Sequence, residues 1–224
     1  MNTDGVNRRD FLIKAAWAAG TAGLISATAL AVPADTSAPA AESATRSGPR
    51  SVADFQRALA GPIQSQPTPI AKNLAVDYEA AGRVVKRGLH YGVSIFELTA
   101  GNSQYFALSY EEIKKLTRTL VEAVAGEGIT IAATGAWWTE RAVDYARYAE
   151  SVGADAVQIL MPSPHGDEDS LVRHFEAIAK ATRLPLVLHG QYSDSLLTKL
   201  VRIDSIAAMK EDGMLLQSAA KATG

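Results

Sequence analysis

No cysteine occurs among the 224 residues, which excludes disulfides, thiolate metal sites, cysteine nucleophiles and a lipid tether through sulfur. Neither sign of charge prevails: 22 basic and 24 acidic residues give a formal net charge of -2, so there is no basic surface to draw a phosphate backbone or anionic lipid. Nucleic acid is not an expected partner. A phosphate loop, a dinucleotide fingerprint and a serine elbow are also missing, and no cofactor or metal is expected. His165, Asp167, Glu168 and Asp169 are clustered but lack a ligand pattern, and read as a solvated loop that caps the next helix. What is present, 47% apolar and 21% charged residues, suffices for one globular domain with a sizeable core.

The chain has one long apolar stretch, from Ala15 to about Val32, preceded by Arg8 and Arg9. Adjacent arginines ahead of an Ala- and Gly-rich apolar run resemble a twin-arginine export signal. Residues 1–34 are therefore expected to engage the twin-arginine export machinery and to be removed after Ala31 or Ala34. The expected destination is the periplasm or the exterior, with no stable membrane insertion after processing. A retained anchoring helix is the alternative, weakened by Gly20 and Gly23. Residues 35–50, rich in Ala, Ser, Thr and Pro, read as a flexible linker.

From residue 51 onward, strand and helix patterns alternate. Ser94–Leu98 reads as a strand, followed by a helix opening at Ser109 with Glu112 at capping-box spacing. The apolar face of that helix is Ile113, Leu116, Leu120 and Val124. Ile129–Ala133, Ala156–Leu160, Leu184–Leu188 and Ile206–Met209 read as further strands. Helices are expected after Thr139 as cap, through Leu171, Phe175 and Ile178, and over Asp194–Val201. An earlier pair, a strand near Gly61–Gln66 and a helix near Asp77–Gly88, completes about six βα units. Strict alternation predicts a parallel sheet with right-handed crossovers, and the apolar strands predict cover on both faces, as in a barrel or a doubly wound sheet. A complete eight-stranded barrel usually takes ~250 residues; this chain reads as two units short.

Several segments, in order, resemble the dihydrodipicolinate synthase and N-acetylneuraminate lyase family. They are Gly61 with Pro67, Thr68 and Pro69; Leu98, Thr99, Ala100, Gly101, Asn102 with Leu108, Glu111 and Glu112; Thr134 and Gly135; Gly153–Ala156 leading to Met161 and Pro162; His174 with Phe175; Leu184–Leu188; and Met209, Lys210, Glu211. The resemblance implies an incomplete TIM-type (β/α) barrel over residues 51–224, truncated after its sixth strand. It also implies a lyase, aldolase or hydratase in which Lys210 forms a Schiff base with a 2-oxo acid such as pyruvate. Thr99 is then a proton-transfer hydroxyl, with Ala100 and Gly101 at the substrate.

Departures from the family are equally specific. His189 and Gly190 stand where the family has Tyr-Asn, so an imidazole replaces the relay tyrosine. Ala100 replaces the second threonine of its pair, and Met161–Pro164 lacks the family's Pro-Tyr-Tyr. The span from His189 to Lys210 is too short for the arginine loop that grips substrate in lysine-pathway synthases, which disfavours that pathway.

A Schiff-base lysine attacks only as the free amine, which burial in an apolar barrel mouth favours. His189 and Thr99 are then the candidate proton shuttles. Bland readings stand beside these: Lys210 as a solvated strand-end lysine, His189 as structural, Thr99 as a cap or turn, Gly101 and Asn102 as a positive-φ turn. Trp137 and Trp138 either line the mouth or pack on a helix. The rivals are a non-catalytic relative that binds a small oxo acid or is inactive, and a two-lobed periplasmic solute-binding domain, for which no internal duplication is visible. Open sheet edges would favour a homo-oligomer.

Overall fold

The computed structural model describes residues 50–162 and 166–210. The export signal, nearly all of the linker, His165 and Glu211 lie outside the described residues. Helix α1 (Val52–Ala58) is followed by six strands alternating with five helices: β1 (Ile63–Ser65), α2 (Tyr78–His90), β2 (Ile95–Glu97), α3 (Tyr110–Val124), β3 (Ile129–Ala133), α4 (Thr139–Ser151), β4 (Ala156–Leu160), α5 (Glu168–Ala181), β5 (Leu186–His189), α6 (Asp194–Leu200) and β6 (Ile206–Lys210). All strands pair in parallel in chain order, β1 to β6.

Curvature distinguishes the barrel from the doubly wound alternative. Four inter-strand steps separate β2 from β6, about 19 Å in a flat sheet, more than two side chains can span. Yet the Lys210 ammonium of β6 lies 2.7 Å from the Glu97 carboxylate of β2. The sheet must therefore curl. Two apolar clusters follow its two faces. The outer one joins Phe96, Leu98, Val157, Leu186 and Leu188 to helix residues such as Leu116, Tyr145 and Phe175. The smaller inner one holds Ile95, Ile129, Ile131, Ala156, Val187 and Ala208. The described residues form an incomplete TIM-type barrel of six strands.

Local chemistry sets the helix starts. Ser109 and Glu112 form the expected reciprocal capping box on α3, Asp77 caps α2 through the Ala80 amide, and Asp167 caps α5 through the Ser170 amide. Thr139 does not cap α4: Trp138 occupies that position without a side-chain bond, and the Thr139 hydroxyl instead meets His174 Nδ1 at 2.9 Å. Gly88 lets α2 lie close on the sheet, where a Cβ would come within 2.7 Å of the Phe96 ring.

Helix α1, unforeseen from the sequence, closes the interior. Phe55 is fully buried in the inner cluster, Gln56 Nε2 donates to the Ala207 carbonyl at 3.0 Å, and Arg50 pairs with Asp155 at 2.8 Å.

Candidate active site

The carboxyl ends of the strands converge on a polar crown above the inner apolar cluster, and β6 shows how its lysine is aimed. Between β5 and β6 the register slips by one residue: Leu186 faces Ile206, but Val187 faces Ala208. Ala207 is passed over as a β-bulge, and Gln56 of α1 satisfies its carbonyl. Because side chains alternate faces, a one-residue slip inverts every later side chain. Without it, Met209 would face inward and Lys210 outward. With it, Met209 joins the outer cluster, and Lys210 lies level with His189, pointing into the interior.

Lys210 is not surrounded by apolar groups as expected. Its Nζ pairs with Glu97 Oε1 at 2.7 Å, the two side chains being 29% and 7% exposed. Glu97 follows Ile95 and precedes Thr99 at alternate positions of one strand, so all three share a face. His189 Nδ1 lies 3.1 Å from Gln158 Nε2. The Gln158 amide and the imidazole thus meet as a hydrogen-bonded pair, which sets the orientation of the ring. Gln158 is fully buried, with its Oε1 unpartnered. At Gly190, φ is 140° and a Cβ would lie 3.0 Å from Met161 Cβ. Both the backbone conformation and the close approach favour glycine after His189. The His189 carbonyl is held by the Met161 amide at 2.9 Å and by the Tyr192 hydroxyl at 3.2 Å.

Thr99 sits in a second group at the ends of β1 and β2. Its hydroxyl is 3.4 Å from that of Ser65 and accepts from the Asn102 amide at 3.2 Å. Asn102 Nδ2 also donates to Ser65 Oγ at 3.0 Å. Ser103 ties this loop down, accepting from the Thr99 amide and donating to the Gln66 carbonyl. Thr99 thus both shapes a turn and presents a hydroxyl on the face of Glu97. The left-handed residue of the loop is Gln104, with φ 55°, rather than Gly101 or Asn102. Ala100 packs toward the outer cluster, which leaves its backbone for any substrate contact, and Gly101 is exposed.

The remaining candidates are structural. Trp137 stacks on Tyr105 at 6.2 Å and meets Tyr110 and Tyr145 edge-on, which is the packing alternative; Trp138 is exposed. Glu168 accepts from Ser193 and Ser195 and pairs with Lys199, as does Asp169. His174 is buried on α5, and desolvation depresses its pKa to about 4. Sequence reasoning missed Glu97, Gln158 and Ser65. The signal was available: a polar residue on the inward phase of a strand covered on both faces is either an error of register or a functional group.

Residues 58–211 match the model of the dihydrodipicolinate synthetase family. The chain belongs to that family. The 4-hydroxy-tetrahydrodipicolinate synthase of Magnetococcus marinus is 32% identical over 149 residues, 62% of this chain and 51% of the relative. A probable 5-dehydro-4-deoxyglucarate dehydratase of Streptomyces coelicolor is 29% identical over 156 residues, 67% of this chain and 49% of the relative. The crystal structure of dihydrodipicolinate synthase from Aquifex aeolicus superposes with a TM-score of 0.65 at 27% identity, covering 68% of this chain and 55% of that one. This chain spans about half the length of the curated relatives it matches. In this member of the dihydrodipicolinate synthetase family, Lys210 and His189 lie level on neighbouring strands, Lys210 paired with Glu97 of β2 and His189 with Gln158 of β4.

Proposed function

We propose that this protein is a class I lyase or aldolase in which Lys210 forms an imine with a 2-oxo acid such as pyruvate or a sugar-acid derivative. The observation that carries the reading is the aim of Lys210: the register slip at Ala207 turns it inward at the carboxyl end of β6, level with His189. In a parallel (β/α) array that end is where chemistry is placed, and family membership supplies the reaction class. Attack of the free amine on the C2 carbonyl gives a carbinolamine, whose hydroxyl leaves as water. His189 and the Thr99 hydroxyl, each able to donate or accept, are the proton carriers proposed for the turnover that follows.

Relatives named as a synthase and as a dehydratase share such a 2-oxo acid intermediate in this reading, and the imine itself does not choose between condensation, cleavage and dehydration. Residues 1–34 are proposed to direct export through the twin-arginine machinery, tested by fusing them to a reporter with and without Arg8→Lys and Arg9→Lys. The terminal places of β1 and β6 in the described sheet motivate self-association, checked by the elution volume at micromolar concentration.

The test of the activity is borohydride reduction with pyruvate and a panel of 2-oxo acids, followed by peptide mass spectrometry. A reduced adduct on Lys210 is expected; a folded protein with no adduct across the panel removes the proposal. His189→Phe should slow turnover more than trapping. A second reading, a relative that binds an oxo acid without turning it over, is favoured by the carboxylate that holds Lys210. Binding without adduct would establish it.

A further inference from the structure

We infer that Glu97 is a catalytic residue of this site, the group that takes a proton from Lys210 and returns it to the departing oxygen. The inference rests on the imine reading above and deepens it. Glu97 Oε1 is the group in hydrogen-bond contact with the reacting nitrogen, at 2.7 Å, closer than any relay through the loop hydroxyls would require. It reaches Nζ from the opposite wall of the barrel, while His189 flanks the lysine on the neighbouring strand.

The fold gives no reason for a carboxylate at this position. Register partners of Glu97 on the inner face are Ser65 and Ile131, and the preceding inward residue of β2 is Ile95. An aliphatic side chain would continue that packing, whereas a buried ion pair is a poor source of stability compared with apolar residues of similar volume. A buried carboxylate in hydrogen-bond contact with a candidate nucleophile is instead placed where it can exchange a proton with it. The position is also well fixed, since the Glu97 carbonyl accepts from the Gln66 amide at 2.8 Å on a strand whose three residues are all buried.

The proton count closes without any other reagent. The resting pair is ammonium and carboxylate. Glu97 accepts one proton, the neutral amine attacks C2, and the carbonyl π pair moves to oxygen. The second nitrogen proton passes to that oxygen, giving the neutral carbinolamine. Glu97 then protonates the hydroxyl, the C–O bond breaks, and water leaves as the nitrogen lone pair forms the C=N bond. The product is an iminium carrying one N–H beside the carboxylate, so the Lys210–Glu97 pair holds one positive and one negative charge before and after, and the substrate keeps its own carboxylate throughout. His189 and Thr99 remain available for the later proton transfers at carbon and at the second substrate.

The experiment measures the rate of Lys210 adduct formation with pyruvate under borohydride quench for the wild type, Glu97→Gln and Glu97→Ala, each checked for fold by circular dichroism. Loss of a positioned base predicts trapping about 10²-fold slower in both variants. Formate should restore part of the rate in Glu97→Ala, where it fits the vacated space, and not in Glu97→Gln. A purely structural carboxylate would give no formate response. Should Glu97→Gln not fold, Glu97→Asp is read instead: a slower rate supports the role and an unchanged rate overturns it. Wild-type rates in Glu97→Gln with a wild-type adduct overturn the inference and leave the imine reading standing. No adduct in the wild type brings down the imine reading itself.

Discussion

The same six strands carry an ion pair at each end, and the two are built differently. At the amino end Arg50 and Asp155 meet at 2.8 Å, with side chains 19% and 13% exposed. Asp155 is also stitched into the sheet, accepting from the Thr130 amide at 2.9 Å and its hydroxyl at 3.1 Å. At the carboxyl end Glu97 and Lys210 meet side chain to side chain across the interior. The first pair ties the segment before α1 to the starts of β3 and β4, the Asp155 carboxylate also holding the Thr130 backbone amide. The second joins two tips that nothing in the chain's path obliges to meet. Charge used to hold backbone serves stability, and charge at the carboxyl ends of a parallel (β/α) array sits where such folds usually place their chemistry.

Breaking the amino-end pair should therefore produce the largest loss of stability. Asp155→Ala orphans the Thr130 amide and leaves the Arg50 guanidinium in a partly buried site. It is expected to cost about 4 kcal/mol, read as a lower urea midpoint. Lys210 trapping in the remaining folded fraction should be unchanged. A loss of trapping equal to the loss of fold at both ends would erase the distinction.

Lys210→Met sharpens the other side. It must abolish the borohydride adduct, while the stability cost, about 3 kcal/mol, comes from leaving Glu97 buried without its cation. Glu97→Leu combined with Lys210→Met should recover most of that cost without recovering any adduct. A double variant no more stable than Lys210→Met would show that the pair holds the fold, contrary to the comparison drawn here.

The legible parts of the sequence were those with local causes. The capping box at Ser109 and Glu112, the apolar phase of α3 and the strands Ile129–Ala133 and Ala156–Leu160 depend on neighbours a few residues away, and all stand as read. Lys210 and His189 were legible as candidates because a strand end is a local feature. Glu97 was not, because its partner lies 113 residues away and only closure of the sheet makes them neighbours. The bulge at Ala207 was equally invisible: Ala207 and Ala208 are alike, and the slip arises from pairing with β5 and from Gln56 on a helix the sequence reading did not foresee. Thr139 misled because a good capping residue sits one position into the helix, where its hydroxyl serves His174 instead.

His174 offers a comparison in the outer layer, away from both pairs. Desolvation lowers its pKa from the ordinary 6.5 to about 4, so between those values the unfolded chain binds a proton that the fold refuses. Stability from the neutral imidazole is complete above pH 6.5 and declines as pH falls toward 4. The expected loss is roughly 2–3 kcal/mol. Carboxylates with lowered values, such as Glu150 and Glu168, lose their contribution only below the ordinary carboxylate range. A fall in urea midpoint between pH 6.5 and 5 thus reports His174, and His174→Phe should flatten it. A fall that survives this change would place the responsible group elsewhere.

The smallest effect tests whether the carboxyl end depends on its surrounding helices or only on its strands. The Ser109 cap fixes the first turn of α3 immediately after the loop that carries Thr99, Asn102 and Ser103. Ser109→Ala removes one half of the capping box and should cost about 1 kcal/mol, seen as a modest drop in urea midpoint. Thr99 is held by Ser65, Asn102 and Ser103 rather than by α3, so the frayed turn should not reach it. Trapping of Lys210 at saturating pyruvate is expected to match the wild type. A trapping defect larger than the stability defect would mean that the loop takes its shape from the helix, and the crown would then be no more independent of its frame than the amino-end pair is.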